Sequence, residues 1–196
     1  IVLDISSGVD AADPASVREF LDESAPQELR GVVALAGAAG AGGIDDTDID
    51  DWHSVLRANL DTAYVVVRES LSRLRAESGD RGIVLMSSVN GRHGGNTLSG
   101  PAYATAKAGL IGLTRHLAST LAPSGIRANA IAPGPVETAM YHRLSAAQQQ
   151  ALVAQIPLHR TLAPTEVAGA ITFLLSDAAR SITGAVLDMN GGLWMG

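Results

Sequence analysis

The sequence predicts an α/β fold, a doubly wound parallel sheet with helices on both faces. Short apolar, β-branched segments alternate along the chain with longer segments in which apolar residues recur every three or four positions. The strand-like segments have apolar centres, as strands do when both faces of a sheet are buried. Strands that alternate with long helices are typical of units in which consecutive strands run parallel.

Each element has its own sequence signal. The first strand is predicted at Ile1–Ile5, and the first helix has Asp13 as its N-cap and Pro14 at its first position. Gly125 is predicted to end the second long helix. The remaining predicted strands are 31–36, 82–87, 126–132 and 185–189, and the remaining predicted helices are 50–76, 101–121, 146–155 and 165–175.

The start of the chain is unusual. Ile1 lies inside a predicted buried strand, with neither an initiator methionine nor a polar segment before it. We therefore expect that an N-terminal part is missing upstream. Because no linker or repeat interrupts the pattern of elements, residues 1–196 are expected to form a single domain.

Composition restricts the class of protein. The chain has 196 residues, of which 46% are hydrophobic and 17% charged, as expected of one globular domain. Its net charge of −6 and its lack of a basic segment argue against nucleic-acid and membrane partners. There is no cysteine and the five histidines are scattered, so neither thiol catalysis nor a metal site is expected. We expect a soluble cytoplasmic protein.

A tyrosine and a lysine one helical turn apart carry the functional argument. Tyr103 and Lys107 share a face of a predicted helix. A neighbouring ammonium favours an ionised phenol, so we expect Lys107 to lower the pKa of Tyr103 from its ordinary value of about 10. With the hydroxyl of Ser88 opposite, such a phenol can hold one alcohol or carbonyl oxygen while hydride moves at the adjacent carbon.

The candidate residues come at the ends of predicted strands. Parallel sheets of this kind bind ligands beyond the carboxyl ends of their strands. Asp4, Gly37, Ser88 and Pro133–Gly134 all lie at such ends, and Tyr103 lies early in the helix that comes after Ser88. The sequence therefore predicts that these residues surround one site.

The glycine run at 37–43 has two interpretations. It follows a strand, and glycines let a phosphate approach the backbone closely. However, five carboxylates follow between Asp45 and Asp51, and they would repel a pyrophosphate. A flexible loop is therefore the favoured interpretation.

Taken together, these segments resemble the short-chain dehydrogenase/reductases, Rossmann-fold oxidoreductases that use NAD or NADP. The resemblance extends from Asp10 to the C-terminus. The segments that carry it are Asp10–Val17, Ala36–Gly37, Arg57–Leu60, Ser88 with Tyr103 and Lys107, Ile131–Thr138, Ile182–Gly184 and Asp188–Gly192.

The resemblance implies a role for each matched residue. Ser88 would bind the substrate oxygen, Tyr103 would exchange its proton, and Lys107 would lower the pKa of Tyr103 and hold the nicotinamide ribose. Asn59 would position a water for proton relay. Besides Tyr103 and Lys107, the cofactor contacts implied are Asp10 at the adenine ring, Ala36, Gly37, Pro133, Gly134, Val136 and Thr138.

Asp4 bears on the choice of cofactor. If Ile1–Ile5 is the second strand of such a fold, an acidic residue there binds the adenosine ribose hydroxyls and favours NAD, with NADP possible. The alternative interpretation is a solvated aspartate at a strand end.

The expected function is an oxidoreductase that interconverts a secondary alcohol and a ketone, acting on a small-molecule substrate. The alternative is a truncated or degenerate relative without catalysis that serves as an assembly or binding partner.

The resemblance also implies a homotetramer or homodimer. The apolar faces of the two long helices agree with this expectation. One face carries Leu60 and Val67 and the other Leu110 and Leu117, and together they are expected to have more apolar surface than one sheet can cover. The glycine-rich loop 92–100 would border the substrate.

Overall fold

Four parallel strands form the sheet of this computed structural model, which describes residues 8–76, 78–139 and 141–196. The described strands are β1 (Gly31–Ala34), β2 (Arg81–Met86), β3 (Ile126–Pro133) and β4 (Val186–Met189), and they lie side by side in that order. The register pairs Ala34 with Leu85 and Pro133 with Met189. The carboxyl ends of the four strands therefore lie together, at what we call the carboxyl end of the sheet. The strand predicted at 1–5 lies outside the described residues.

The helices begin and end where the local sequence provides a signal. The Asp13 carboxylate accepts hydrogen bonds from the backbone N–H groups of Ala15 and Ser16 and caps the first helix, as predicted. Gly125, at φ 72°, ends the turn that follows the fifth helix. The helices of the described residues are α1 (Pro14–Ser24), α2 (Ile49–Leu56), α3 (Thr62–Ala76), α4 (Asn90–His93), α5 (Gly100–Leu121), α6 (Ala146–Ala154) and α7 (Pro164–Leu175), and a π-helical turn (Arg57–Asp61) joins α2 to α3.

Helices cover both faces of the sheet. On one face, α3 and α5 pack against Ile83, Leu85 and their neighbours on the other strands. On the opposite face, Leu174 of α7 packs with Val84 and Ile131. Ile83 and Val84 are buried on different faces because successive side chains of a strand alternate. The predicted fold class, a parallel sheet with helices on both faces, is confirmed.

The two long helices bury their apolar faces within the chain itself. Val67, Leu110 and Leu117 are only 2%, 1% and 8% exposed and belong to the core on the sheet. Leu60 is partly buried against the same core. The premise that these faces exceed what one sheet covers is therefore wrong. The homotetramer or homodimer stays a prediction.

Two predicted boundaries need correction. The strand predicted at 31–36 ends at Ala34, where its pairing with β2 ends, and the next side chain, Leu35, is 55% exposed. The loop predicted at 92–100 begins inside α4, because the backbone N–H of His93 closes a helical turn on the carbonyl of Val89.

Candidate active site

Tyr103 and Lys107 lie on the first two turns of α5, the helix that crosses from β2 to β3. Pro101 fits the first turn of this helix, where backbone N–H groups have no partner within the helix. Lys107 Nζ lies 5.4 Å from the centroid of the Tyr103 ring. The spacing of one helical turn therefore brings the ammonium and the phenol ring together.

Lys107 is a buried cation at the end of β2. It is 3% exposed, and its Nζ donates a hydrogen bond of 2.8 Å to the carbonyl of Met86. Burial lowers the pKa of Lys107 to about 8. It is also the only lysine in the chain, since the other thirteen of the fourteen lysine and arginine residues are arginines. The single lysine marks a position with a special requirement, a signal in the composition that sequence reasoning missed.

The phenol of Tyr103 is held in its neutral form. Burial raises the pKa of Tyr103 above its ordinary value, and hydrogen bonding with the Ser88 hydroxyl opposes this rise by a smaller amount. The prediction that Lys107 lowers the pKa of Tyr103 is therefore wrong for this structure, because desolvation of the phenol outweighs the other influences on it. A neutral phenol at pH 7 is a proton donor.

Ser87 and Ser88 follow β2 and form the other side of the site. Ser87 Oγ donates a hydrogen bond of 2.7 Å to the carbonyl of Lys107 and so ties α5 to the strand end. Ser88 Oγ accepts a hydrogen bond of 3.2 Å from the backbone N–H of Asn90. Because the Ser88 hydroxyl also influences the pKa of Tyr103, the structure brings Ser88, Tyr103 and Lys107 together.

Asn59 lies in the π-helical turn, which interrupts the helix predicted at 50–76 as continuous. The side chain is fully buried, and its Nδ2 donates hydrogen bonds to the carbonyls of Ala38, at 2.7 Å, and Val55, at 2.8 Å. No donor among the described residues reaches Asn59 Oδ1, which is also buried. A buried oxygen of this kind is a site for an ordered water.

Gly37 lets Asn59 and Lys107 approach the end of β1. A Cβ at this position would collide with Asn59 Oδ1 and lie 3.3 Å from Lys107 Nζ. Ala36 and Gly37 themselves are exposed. The four residues predicted to be catalytic therefore lie around the ends of β1 and β2, beside an exposed glycine.

Pro133–Gly134 is fixed between the ends of β2 and β4. The backbone N–H of Val89 donates to the carbonyl of Pro133 at 2.9 Å, and that of Gly134 donates to the carbonyl of Met189 at 2.8 Å. A Cβ at Gly134 would lie 3.0 Å from the Cα of Asn190, so any other residue there would require the neighbouring backbone to shift by a few tenths of an ångström. The segment that the resemblance assigns to the nicotinamide thus lies next to Ser88.

Val136 and Thr138 continue this segment towards solvent. Val136 pairs with Leu162 as an isolated parallel bridge, and the Thr138 hydroxyl donates a long hydrogen bond of 3.4 Å to the carbonyl of Val136. Tyr141 follows in a short 3-10 turn, Tyr141–Arg143. The contacts of Val136 and Thr138 with a cofactor stay predictions.

Of the two aspartates assigned to the adenosine half of the cofactor, the structure describes only Asp10. The Asp10 carboxylate forms an ion pair with Arg57 and accepts a hydrogen bond of 2.9 Å from the backbone N–H of Ala12. Because Arg57 opens the π-helical turn, Asp10 is linked to the turn that carries Asn59. Asp4 lies outside the described residues.

Two cavities lie near the site, but the predicted catalytic residues line neither of them. The larger, of about 640 Å³, lies beyond β4 between residues 157–162 and 188–196. The other, of about 520 Å³, lies between the loop 38–42, α2 and the start of α5. In the described part of the chain, no three acidic or histidine side chains are grouped as a metal site, and no helix is long and apolar enough to cross a membrane.

The chain is similar to known proteins over most of its length. A family model described as enoyl-(acyl carrier protein) reductase matches residues 4–194. Protein FixR of Bradyrhizobium diazoefficiens is 40% identical over 185 residues, which are 91% of this chain and 64% of FixR. The 3-oxoacyl-(acyl-carrier-protein) reductase FabG of Aquifex aeolicus is 43% identical over 144 residues, which are 74% of this chain and 57% of FabG.

A solved structure gives the same result. The crystal structure of an oxidoreductase of the short-chain dehydrogenase/reductase family from Burkholderia thailandensis matches with a TM-score of 0.84 at 37% identity, over 95% of this chain and 72% of that chain. This chain spans about three fifths of the length of FixR and FabG. The family model covers nearly all of it, and the chain belongs to the short-chain dehydrogenase/reductase family.

Proposed function

We propose that this protein reduces a ketone to a secondary alcohol, and catalyses the reverse reaction, with a nicotinamide cofactor. The observation that carries the proposal is the convergence of Ser88, Tyr103 and Lys107 at the carboxyl end of the sheet, with Asn59 beside them. Family membership supports it, because the matching family model is described as a reductase and the similar structure from Burkholderia thailandensis as an oxidoreductase.

Each side chain has a task that follows from its surroundings. The Ser88 hydroxyl and the Tyr103 phenol bind the carbonyl oxygen, and the phenol, which stays neutral at pH 7 with its raised pKa, donates the proton that this oxygen takes up. Lys107, with a pKa of about 8, is protonated in most molecules at pH 7 and supplies the replacement proton. A water on Asn59 Oδ1 connects the ammonium with solvent.

The residues present fit the nicotinamide half of NAD or NADP. When bound, the cofactor supplies the hydride that adds to the carbonyl carbon. Lys107 and Tyr103 would hold the ribose beside the exposed backbone of Gly37. The other residues proposed to bind the cofactor are Ala36, Pro133, Gly134, Val136 and Thr138 on this half and Asp10 and Asp4 on the adenosine half. A preference for NAD rests on Asp4 alone.

The substrate class is the finer part of the proposal. FabG of Aquifex aeolicus is by name a 3-oxoacyl reductase, whose substrate carries a ketone two carbons from a thioester. We propose a 3-oxoacyl thioester as the first substrate to test. The exposed Leu98, in the loop 92–100 that would border the substrate, offers an apolar contact for an acyl chain.

Two measurements test the proposed function. Titration with NADH and NADPH, followed by cofactor fluorescence, should show binding of at least one of them. Consumption of the reduced cofactor with a panel of ketones and 3-oxoacyl thioesters should then show turnover. If neither cofactor binds, the proposal fails, and the alternative of a non-catalytic assembly partner is favoured.

A further inference from the structure

Arg92 and Asp188 form an ion pair that joins two parts of the chain separated by 96 residues. Arg92 Nε lies 3.0 Å from Asp188 Oδ1, and Nη2 lies 2.8 Å from Asp188 Oδ2, so the pair is bidentate. Its side chains are 14% and 24% exposed. The guanidinium also lies 4.7 Å from the centroid of the Trp194 ring. A half-buried bidentate pair stacked on an aromatic ring holds its geometry far better than a surface pair.

The Arg92 side of the ion pair is connected through α4 to the proposed catalytic residues Ser88 and Lys107. Arg92 lies in α4, whose first residue, Asn90, donates its backbone N–H to Ser88 Oγ. Gly91 packs directly on α5, since a Cβ there would lie 2.6 Å from the carbonyl carbon of Lys107. Any shift of α4 therefore moves the backbone that orients the Ser88 hydroxyl and presses on Lys107.

The other end is attached to the segment proposed to bind the nicotinamide. Asp188 lies in β4 opposite Ala132 of β3, and the next residue, Met189, accepts the hydrogen bond from Gly134. The pair therefore bridges the Ser88 side of the site and the Pro133–Gly134 side.

The short helix α4 needs such a link. It has four residues, its N-cap residue Val89 provides no side-chain hydrogen bond, and Gly94 and Gly95 follow it at φ 90° and 74°. A single helical turn is not stable by itself, so tertiary contacts decide its position.

We propose that the Arg92–Asp188 pair is a positioning device that fixes α4, and with it the Ser88 hydroxyl, relative to the Pro133–Gly134 segment. This inference rests on the proposed function. Loss of the pair lets Ser88 move by a fraction of an ångström to about 1 Å, and displacements of that size cost one to two orders of magnitude in rate. Gly134 keeps its backbone hydrogen bond to Met189 of β4 when the pair is lost, so we expect a smaller change in cofactor binding than in kcat.

The chain provides a matched control at the other end of the sheet. Arg127 and Asp80 form a second bidentate pair, with N···O distances of 2.8 and 2.7 Å and exposures of 7% and 24%. It joins the start of β3 to the residue before β2, away from the carboxyl ends. Its loss should reduce stability and leave catalysis alone.

The experiment compares Asp188→Asn with Asp80→Asn in the ketone assay. We expect Asp188→Asn to lower kcat about 10- to 100-fold, with KM and the Kd of the reduced cofactor within about threefold of wild type and a fall in Tm no larger than that of Asp80→Asn. Arg92→Met should have the same effect, and the double variant should be no worse than either single one. Arg92→Lys, which keeps the charge but not the bidentate contact, should recover part of kcat.

Two other results overturn the inference, and they are distinguishable. If wild type is active and Asp188→Asn keeps the kcat of Asp80→Asn, the positioning role is wrong while the proposed function stands. If wild type reduces no ketone and binds neither cofactor, the proposed function fails and the positioning role fails with it.

Discussion

At the scale of single residues, burial reverses the acid–base order of Tyr103 and Lys107. Burial disfavours the charged form of each group, so the pKa of Tyr103 rises and that of Lys107 falls to about 8. The ammonium is then a stronger acid than the phenol. Once Tyr103 has given its proton to a substrate, proton transfer from Lys107 back towards the phenolate is downhill.

Replacing Tyr103 by Phe tests the proton-donor role directly. The change removes the hydroxyl and keeps the ring, so we expect kcat to fall by about 10²- to 10⁴-fold, with little change in the Kd of the reduced cofactor. Steady-state kinetics and fluorescence titration measure the two quantities. Tyr64→Phe is the matched control, since Tyr64 is 50% exposed on α3 and should tolerate the loss of its hydroxyl. A Tyr103→Phe protein with most of its kcat would contradict the assignment.

The pKa of Lys107 predicts how activity depends on pH. The proposed role needs the ammonium, which is lost as pH rises through about 8. The pH profile of kcat/KM for the ketone, which reports ionisations of the enzyme without bound substrate, should therefore be level below that value and decline above it, by up to tenfold per pH unit. Measurement at constant ionic strength checks this. A profile that stays level to about pH 10 would show that the proton on Lys107 is not required.

At the scale of elements, the π-helical turn is the feature that places Asn59. The carbonyl of Val55 accepts a hydrogen bond from the side-chain Nδ2 of Asn59. The backbone N–H of Thr62 reaches back five residues to Arg57, whereas in a regular α-helix it would reach back four. Single π-helical turns of this kind occur often at functional sites.

The close approach of β1 to this turn depends on the missing side chain of Gly37. Gly37→Ala should displace Asn59 and Lys107, and we expect kcat to fall by at least tenfold because a shift below 1 Å is enough. Gly112→Ala is the control, since a Cβ at this exposed position of α5 meets no atom within 4 Å. It should raise the free energy of unfolding by about 0.5–1 kcal/mol and leave kcat unchanged. Equal activity of the two variants would mean that Asn59 adapts without loss.

Those features of the fold and of the site that depend on local sequence pattern could be predicted. Periodicity and capping residues located α1 and α5. The order of motifs located Ser88 and Pro133–Gly134 at strand ends and Tyr103 early in a helix. The π-helical turn was not predictable, because its apolar spacing also suits a continuous α-helix. The direction of the pKa shift of Tyr103 depends on burial of the phenol in the folded protein, which local pattern does not report.

At the scale of the whole molecule, the two ends of the parallel sheet differ in role, one structural and the other proposed to be catalytic. The Arg127–Asp80 pair binds the amino ends of strands to α7, since Arg127 also donates to the carbonyl of Leu174 at 2.7 Å. The carboxyl end carries the proposed catalytic site and includes the buried charge of Lys107. Such a charge makes folding less favourable, and the fold must offset that cost elsewhere.

The cost of burying Lys107 predicts the pH dependence of stability. Its pKa is about 8 in the folded protein and 10.5 in the unfolded chain, so between these values the unfolded chain binds more protons. The contribution of Lys107 to the free energy of unfolding therefore rises with pH, by about 2 kcal/mol between pH 8 and pH 10. The raised pKa of Tyr103 acts in the opposite direction, but only above its unfolded value near 10.

Urea denaturation of the cofactor-free protein at pH 8 and pH 10, for wild type and Lys107→Met, measures this contribution. Every other ionisable group is common to both proteins, and no second lysine titrates in the interval. The rise in the free energy of unfolding from pH 8 to pH 10 should be about 2 kcal/mol larger in wild type. Loss of the hydrogen bond from Lys107 to the Met86 carbonyl in the variant is common to both pH values, so it does not affect the comparison. Equal pH dependence in the two proteins would mean that Lys107 is solvated in the folded state, which would remove the basis for its role as a tuned proton source.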